Sequence, residues 1–302
     1  MKIKLYSATI AIALLLLAAC GPSAEDKAKM DAWQKKQDST EAAKKAANEA
    51  PPIAITWEDL QKMDPKEVSD ASLNGTKKKV IIEGYLSMPS MLYTSGNSIR
   101  CHMYPRNGQT KGFYINLEFQ QGKTANHMES MPSKYTLADF KIHTANNEVV
   151  GQGSPVKITG ELSRIDDEYA TLYITKVEKT EPKAFDYAAA ATQLTDANMG
   201  DMENKLVFVD AALEVPMFVY IEEDMTLNLL NAGLKGEVKA NVLVGDGPNQ
   251  ISNLPEGWSP SDVKVHDNTG KVIKGKTRVY GTFAKSTIGD TKGYIHVERI
   301  GK

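Results

Sequence analysis

The sequence predicts a mainly β chain built from one folding unit that occurs twice. Two observations carry this. The first is strict alternation of apolar and polar residues, the pattern of strands with one buried face. Positions 80, 82, 84, 86 and 88 share one face, as do 207, 209, 211, 213 and 215. The second is repetition. Lys79–Pro89 matches Lys205–Pro216, with Val80 over Val207, Ile82 over Val209, Glu83 over Asp210, Leu86 over Leu213 and Pro89 over Pro216, at an offset of 127. Asp139-Phe140-Lys141-Ile142-His143 matches Asp262-Val263-Lys264-Val265-His266 at an offset of 123, and Val156–Gly160 matches Thr277–Gly281 at 121. The drift fits loop deletions. Two copies make tandem domains, whereas a solenoid needs three or more.

Taken in order, the chain opens on Lys2 and Lys4, an apolar run from Leu5 to Ala19, and then Cys20-Gly21-Pro22. That is a signal-peptide layout. The run is shorter than the ~20 residues a membrane-crossing helix needs. Leu17-Ala18-Ala19-Cys20 resembles a bacterial lipobox. The resemblance implies that residues 1–19 are removed, that Cys20 is lipidated, and that the bilayer is a partner through its acyl chains. It also implies a cell-envelope address. Gly21 stands where an inner-membrane lipoprotein commonly carries Asp, which points to the outer membrane, facing the periplasm or the cell surface.

Residues 20–52 form a charged segment. Glu25 and Asp26 come early and Lys44 and Lys45 late, an order that suits a helix dipole. Glu25/Lys29 and Glu41/Lys45 are i,i+4 pairs. Apolar residues larger than Ala are sparse, chiefly Met30 and Trp33, so the segment reads as a solvated helical stalk or a disordered linker, stopped by Pro51-Pro52. The two copies follow at 53–181 and 184–302, joined by the polar Thr180-Glu181-Pro182-Lys183. Each opens on a short helical lead. Thr56 to Asp59 is capping-box-like, and Asp186 to Leu194 is its Ala-rich counterpart. In the first copy, Ile99, Cys101 and Met103 share a strand face, which predicts a buried, inert thiol. Gly160 and Gly281 fall inside strands, where glycine marks a bulge or a tight barrel corner.

A strand ending in Gly or Ala, two short strands, a middle segment, then V-x-I-x-G and a last strand resemble the five-stranded Greek-key barrel of the OB-fold. The pattern is similar to small bacterial envelope lipoproteins built from tRNA-anticodon-binding-like OB units. It covers roughly residues 56–180 and 184–302. The long stretch from Gln120 to Pro155 leaves a lipocalin-like or sandwich arrangement open.

The formal charge of −2 becomes about −4 once Lys2 and Lys4 are removed, which gives no footprint for a phosphate backbone. With Cys20 lipidated, Cys101 stands alone, which rules out an intramolecular disulfide and a cysteine zinc site. No H-E-x-x-H, G-x-S-x-G or P-loop occurs, so no catalytic residue, metal or cofactor is expected. Asp166-Asp167-Glu168 reads as a hairpin turn, and Gly245-Asp246-Gly247-Pro248 as another. Lys77-Lys78-Lys79 lies near Tyr85, Tyr93, Tyr104, Phe113 and Tyr114, an arrangement that can stack bases in an OB groove; the acidic charge makes nucleic acid an unfavoured partner. The ligand-binding candidates are Tyr85, Tyr114, and the recurring pair His143 and His266. The plain alternative for each histidine is a bond to a nearby backbone carbonyl, since neither carries a carboxylate at ligand spacing. On the outward faces, Glu83/Lys157 and Asp210/Arg278 are expected as cross-strand pairs.

These readings describe a non-catalytic, membrane-anchored envelope lipoprotein whose two modules bind a protein or a glycan. The alternatives are an envelope enzyme or enzyme accessory with its site in 104–155 or 231–276, a purely structural envelope component, and an oligonucleotide binder.

Overall fold

The computed structural model describes residues 24–89, 91–133, 135–217, 224–287 and 289–301. The signal segment and Cys20 lie outside them. Residues 24–49 form a single helix, α1 (Ala24–Glu49). Its described side chains are exposed, Met30 and Trp33 included. Of the two expected pairs, Lys29 meets Glu25 at 2.8 Å. Lys45 instead lies 4.0 Å from Glu49, one turn later, rather than on Glu41. Lys45 has carboxylates on either side at equal spacing and takes the later one. No described helix is long and apolar enough to cross a membrane.

Residues 51–73 and 77–302 form a second compact unit that contains two closed barrels. The first copy runs β1 (Ile53–Ala54), α2 (Trp57–Gln61), α3 (Pro65–Leu73), β2 (Lys79–Ser87), β3 (Thr94–Ser95), β4 (Ser98–Tyr104), β5 (Tyr114–Gln120), β6 (Ile142–His143), β7 (Val149–Val150), β8 (Pro155–Ile165) and β9 (Tyr169–Lys179). β2 pairs antiparallel with β4, β4 with β5, and β8 with both β9 and β2. β5 and β9 run parallel and close the ring. That is the five-stranded OB barrel. The second copy runs α4 (Tyr187–Ala190), β10 (Thr192–Gln193), β11 (Leu206–Glu214), β12 (Asp224–Leu230), β13 (Glu237–Leu243), β14 (Lys276–Lys285) and β15 (Thr291–Ile300). It repeats the circuit, again with a single parallel closure, β13 on β15.

The local chemistry explains the leads. Thr56 accepts from the Asp59 amide while Asp59 reaches back to the Thr56 amide, a complete capping box. Asp186 caps α4 through the Ala189 amide at 3.0 Å. Both in-strand glycines sit at bulges, where the β8–β9 and β14–β15 registers shift. A Cβ on Gly160 would lie 2.7 Å from the Tyr173 carbonyl oxygen, and one on Gly281 would meet that of His296. Cys101 is buried, and burial raises its thiol pKa.

The stretch between the third and fourth barrel strands is neither lipocalin-like nor a sandwich. It is a compact plug, and it is duplicated. Gln121 bridges Met128 and Met128 bridges Ile142; in the second copy Val244 bridges Ile251 and Ile251 bridges Val265. Asn126 and Asn249 both have φ near +60°. Each side-chain oxygen accepts the amide of the last barrel strand, Val177 in one copy and Ile300 in the other, both at 2.8 Å. Met128, Phe140 and Ile142 pack into the first core, while Ile251 and Val265 pack into the second. The two hydrophobic clusters share no residue.

Of the expected cross-strand pairs, Asp210/Arg278 forms in full, a two-pronged contact with both bonds at 2.8 Å. Half-exposed, it is worth no more than about 1 kcal/mol. Glu83 and Lys157 are register partners as expected, but they do not form the expected ion pair. Lys157 reaches Glu178 at 3.2 Å, and Glu83 pairs with Lys183 of the linker.

The barrels meet through the β4–β5 turn of the first and the β14–β15 face of the second. On β15, four consecutive residues, Ile295 to Glu298, are buried. Alternation assigns Ile295 and Val297 to the barrel interior, so the burial of His296 and Glu298 comes from outside the barrel. Arg106 on the turn donates to both Glu298 oxygens, at 2.7 and 2.9 Å, and to Thr282 Oγ1 at 3.2 Å. Thr282 in turn donates to Glu298 at 2.7 Å. Tyr187 of α4 donates to the Asn107 carbonyl at 3.1 Å and lies 3.4 Å from Glu298. Burial opposes charge on Arg106, but the bonds and charge of Glu298 outweigh it and keep the guanidinium protonated. Gly108 has φ +79°, and a Cβ there would lie 3.0 Å from the Glu298 carbonyl oxygen.

Two predictions follow from this layout. Breaking a buried ion pair by removing one partner costs roughly 3–5 kcal/mol, but undocking returns Glu298 to water and caps the loss at the docking energy. Arg106→Ala should therefore split one calorimetric unfolding transition into two, with both barrels intact; an unchanged single transition would contradict the linchpin role. Separately expressed fragments 53–181 and 184–302 should each unfold cooperatively, because each core closes within its own barrel. Failure of both, with recovery on mixing, would show strand-level interdependence.

Candidate functional site

The site starts from strand alternation. Cys101 and Met103 on β4 and Ile115 on β5 point into the first barrel and are fully buried. His102, Tyr104 and Tyr114 therefore stand on its outer face. Their rings form a row. His102 lies 4.2 Å from Tyr114, Tyr104 5.8 Å from Tyr114, and Tyr169 of β9 stacks on Tyr114 at 5.6 Å and 24°. Arg164 caps the row over Tyr169 at 5.1 Å.

The second barrel faces part of this row. Between them lies a cleft of about 550 Å³, within the ~300–1,000 Å³ range of small-molecule sites. Barrel 1 contributes His102, Tyr104, Phe113, Tyr114, Met88 and Pro89, together with Lys111 and the Asp167-Glu168 turn. Barrel 2 contributes Asn204, Asp224, Asn241 and His296. Asn241 Oδ1 accepts from Thr226 at 3.0 Å, which orients its amide.

Burial shapes the electrostatics. It lowers His102 from 6.5 to about 4. Burial, with the charge of Lys111, lowers His296 from 6.5 to about 3. Both imidazoles are neutral at physiological pH. Burial and the neighbouring Tyr114 hydroxyl raise Tyr104 above the usual phenol range. Among the described residues, no carboxylate hydrogen-bonds either imidazole, and no group of three or more His, Cys, Asp or Glu is placed to hold a metal ion.

Of the four sequence candidates, only Tyr114 lies in this cleft. Tyr85 lines a second cleft of about 600 Å³ with Trp57, Phe185 and Arg299. Its hydroxyl clasps the linker, accepting the Lys183 amide at 3.0 Å and donating to the Lys183 carbonyl at 3.1 Å. His143 and His266 sit in the two plugs and line neither cleft. Their expected backbone partner is replaced by side chains. His143 Nε2 lies 3.0 Å from Glu129, and His266 Nε2 lies 3.5 Å from Ser252. The bond to His143 holds Glu129 below the usual carboxylate range. Glu129 was invisible as a partner because it is fourteen residues away and is delivered by the Met128–Ile142 bridge. His102 and His296, like His127, have no counterpart in the other copy, so the repeat carries no signal for them. The alternation around Cys101 was the signal that placed His102 beside Tyr104 and Tyr114.

No protein-family model matches the chain, and no curated protein matches it. Among solved structures it is similar to p202 HIN1 in complex with 12-mer dsDNA, at 10% identity over 73% of this chain and 91% of that one, with a TM-score of 0.24. It is also similar to the Ifi202 HINa domain in complex with 20bp dsDNA, at 10% identity over 71% and 90%, with a TM-score of 0.22. Matches this distant bear on neither the site nor its ligand.

The two neutral imidazoles make stability depend on pH. Below 6.5 the unfolded chain protonates both, while the folded chain holds them neutral to about 4 and about 3. The unfolded state then binds more protons, so stability falls as pH falls, by at most about 1.4 kcal/mol per pH unit for each imidazole. Above 6.5 neither contributes. Urea unfolding at pH 7.5, 6.5 and 5.5 should show this loss, and the His102→Gln, His296→Gln double variant should flatten it. The described charged residues of the cleft, Lys111, Asp167, Glu168 and Asp224, are retained in that variant, so an unflattened slope would contradict the assignment of the loss to the two imidazoles.

Proposed function

We propose that the protein is a non-catalytic, lipid-anchored binding protein of a bacterial cell envelope, which takes a protein or glycan ligand in the cleft between its two OB barrels. The observation that carries the binding role is the cleft itself. An aromatic row occupies the outer face of β4, β5 and β9, flanked by the Met88-Pro89 and Asp167-Glu168 loops and walled by polar residues of the second barrel. The strand 2–3 face and its two flanking loops are where OB-folds hold oligomeric ligands. The lipobox-like Leu17–Cys20 supports the anchor, and α1 gives the anchor a helical continuation of 26 residues. The acidic groups of the cleft argue against an oligonucleotide, which needs a positive groove.

Two measurements test this reading. Cys20→Ala should abolish incorporation of labelled fatty acid and block removal of the signal segment; a variant of wild-type mobility, still in the membrane fraction, would refute the anchor. Protease shaving of intact cells then separates a periplasmic from a surface-facing position. For the cleft, affinity capture from envelope extract with the wild-type chain and with Tyr114→Ala should differ by the loss of the specific partner in the variant. An identical bound set would move the binding role elsewhere.

A further inference from the structure

Resting on the reading of the inter-barrel cleft as the ligand site, the geometry points to an uncharged oligosaccharide as its ligand, seated with one sugar face on the rings of barrel 1 and its hydroxyls turned toward barrel 2. The first support is the division of labour between the walls. One wall is an apolar row of rings, with His102 and Tyr169 packed on either side of Tyr114. A pyranose presents a matching apolar face of C–H bonds, with its hydroxyls around the rim. The other wall offers side-chain amides and an imidazole, Asn204, Asn241 and His296. These groups donate and accept without carrying charge.

The second support is unspent hydrogen-bonding capacity. His296 is more than nine-tenths buried, lines the cleft, and its imidazole has no hydrogen-bond partner among the described residues. A neutral imidazole carries one donor and one acceptor, which a ligand in the cleft can use. A sugar hydroxyl, which both donates and accepts, satisfies either ring nitrogen. A phosphate or carboxylate only accepts, so it would satisfy the ring N–H and leave the bare nitrogen unpaired. The third support is charge. Among the described residues lining the cleft, Asp167 and Glu168 outweigh Lys111, so an anionic ligand meets like charge, whereas carboxylates accept readily from vicinal hydroxyls. Finally, the strands at the cleft belong to closed barrels, so an extended peptide finds no free sheet edge there to pair with.

The purified full chain in detergent micelles is titrated with uncharged oligosaccharides of glucose, galactose and N-acetylglucosamine. Parallel titrations use oligogalacturonate, oligothymidylate and a pool of unstructured peptides. The imidazole NMR signals of His102 and His296, assigned with the His102→Gln and His296→Gln variants, report occupancy of the cleft. At least one neutral oligosaccharide should shift both signals. Tyr114→Ala should weaken that binding by about tenfold, the loss expected of a stacked ring. Asn241→Ala, a change on the opposite wall, should weaken it with the melting temperature unchanged. Oligogalacturonate should bind at least about tenfold more weakly than neutral galacto-oligosaccharide. If a peptide, the uronate or the oligothymidylate shifts the signals and no neutral sugar does, the sugar assignment falls while the cleft stands as the ligand site. If a sugar binds without moving either signal, or if no probe moves them, the cleft itself is not the site.

Discussion

The Arg106–Glu298 pair is the constraint on which the rest of the arrangement depends. Neither partner could occupy its position alone. Glu298 has no solvent access at its side chain, and an unpaired carboxylate there would have to be expelled or neutralised. Arg106 supplies two bonds, Thr282 a third and Tyr187 a further contact. This satisfies the group from three separate stretches of chain: the β4–β5 turn, the β14 strand and the lead of the second copy. Because these stretches belong to both copies, the pair fixes the angle between the barrels. The cleft, whose walls come one from each barrel, exists only at that angle. Removing either partner would leave the other charge buried and unpaired, so the docking that forms the cleft depends on both.

Duplication gave two copies of one unit, and their differences show how the work was divided. The plugs share one pattern of bridges, and Asn126 and Asn249 perform the same task in each. The outer faces have diverged. The first barrel carries His102, Tyr104 and Tyr114 on β4 and β5. At the corresponding strands the second carries Asp224, Thr226, Lys239 and Asn241. A symmetric pair of aromatic faces would give two equivalent shallow surfaces. Divergence gives one composite cleft, apolar on one wall and polar on the other. The same divergence separates Glu129–His143 from Ser252–His266, so the recurring histidines mark a structural position whose partner changed.

Much of the fold was legible because it rests on local chemistry. Alternation reported the barrel strands, the repeat reported the second barrel, and Thr56 with Asp59 reported a cap that the structure completes. Gly160 and Gly281 reported the bulges, since no other residue fits against the opposing carbonyl. The Asp210–Arg278 pair was legible because register follows from alternation. Glu83 and Lys157 show the limit: their register was legible, but the choice among several nearby charges was not, and Lys183 of the linker intervened. The site was less legible for a related reason. Tyr114 announced itself as an aromatic on an OB face, but His296 and Arg106 acquire meaning only from the packing of one barrel on the other. No local pattern encodes that packing.

The linker between the copies has a consequence of its own. Tyr85 grips Lys183 at both its amide and its carbonyl, so the join is pinned to the first barrel. Docking of the second barrel is then a unimolecular event at an effective concentration that, for a short connection, is of the order of millimolar or higher. An interface too polar to hold two separate molecules together can stay closed under those terms. The residues of the cleft are thereby released from any duty of adhesion, and they are free to change with the ligand while the closed state persists.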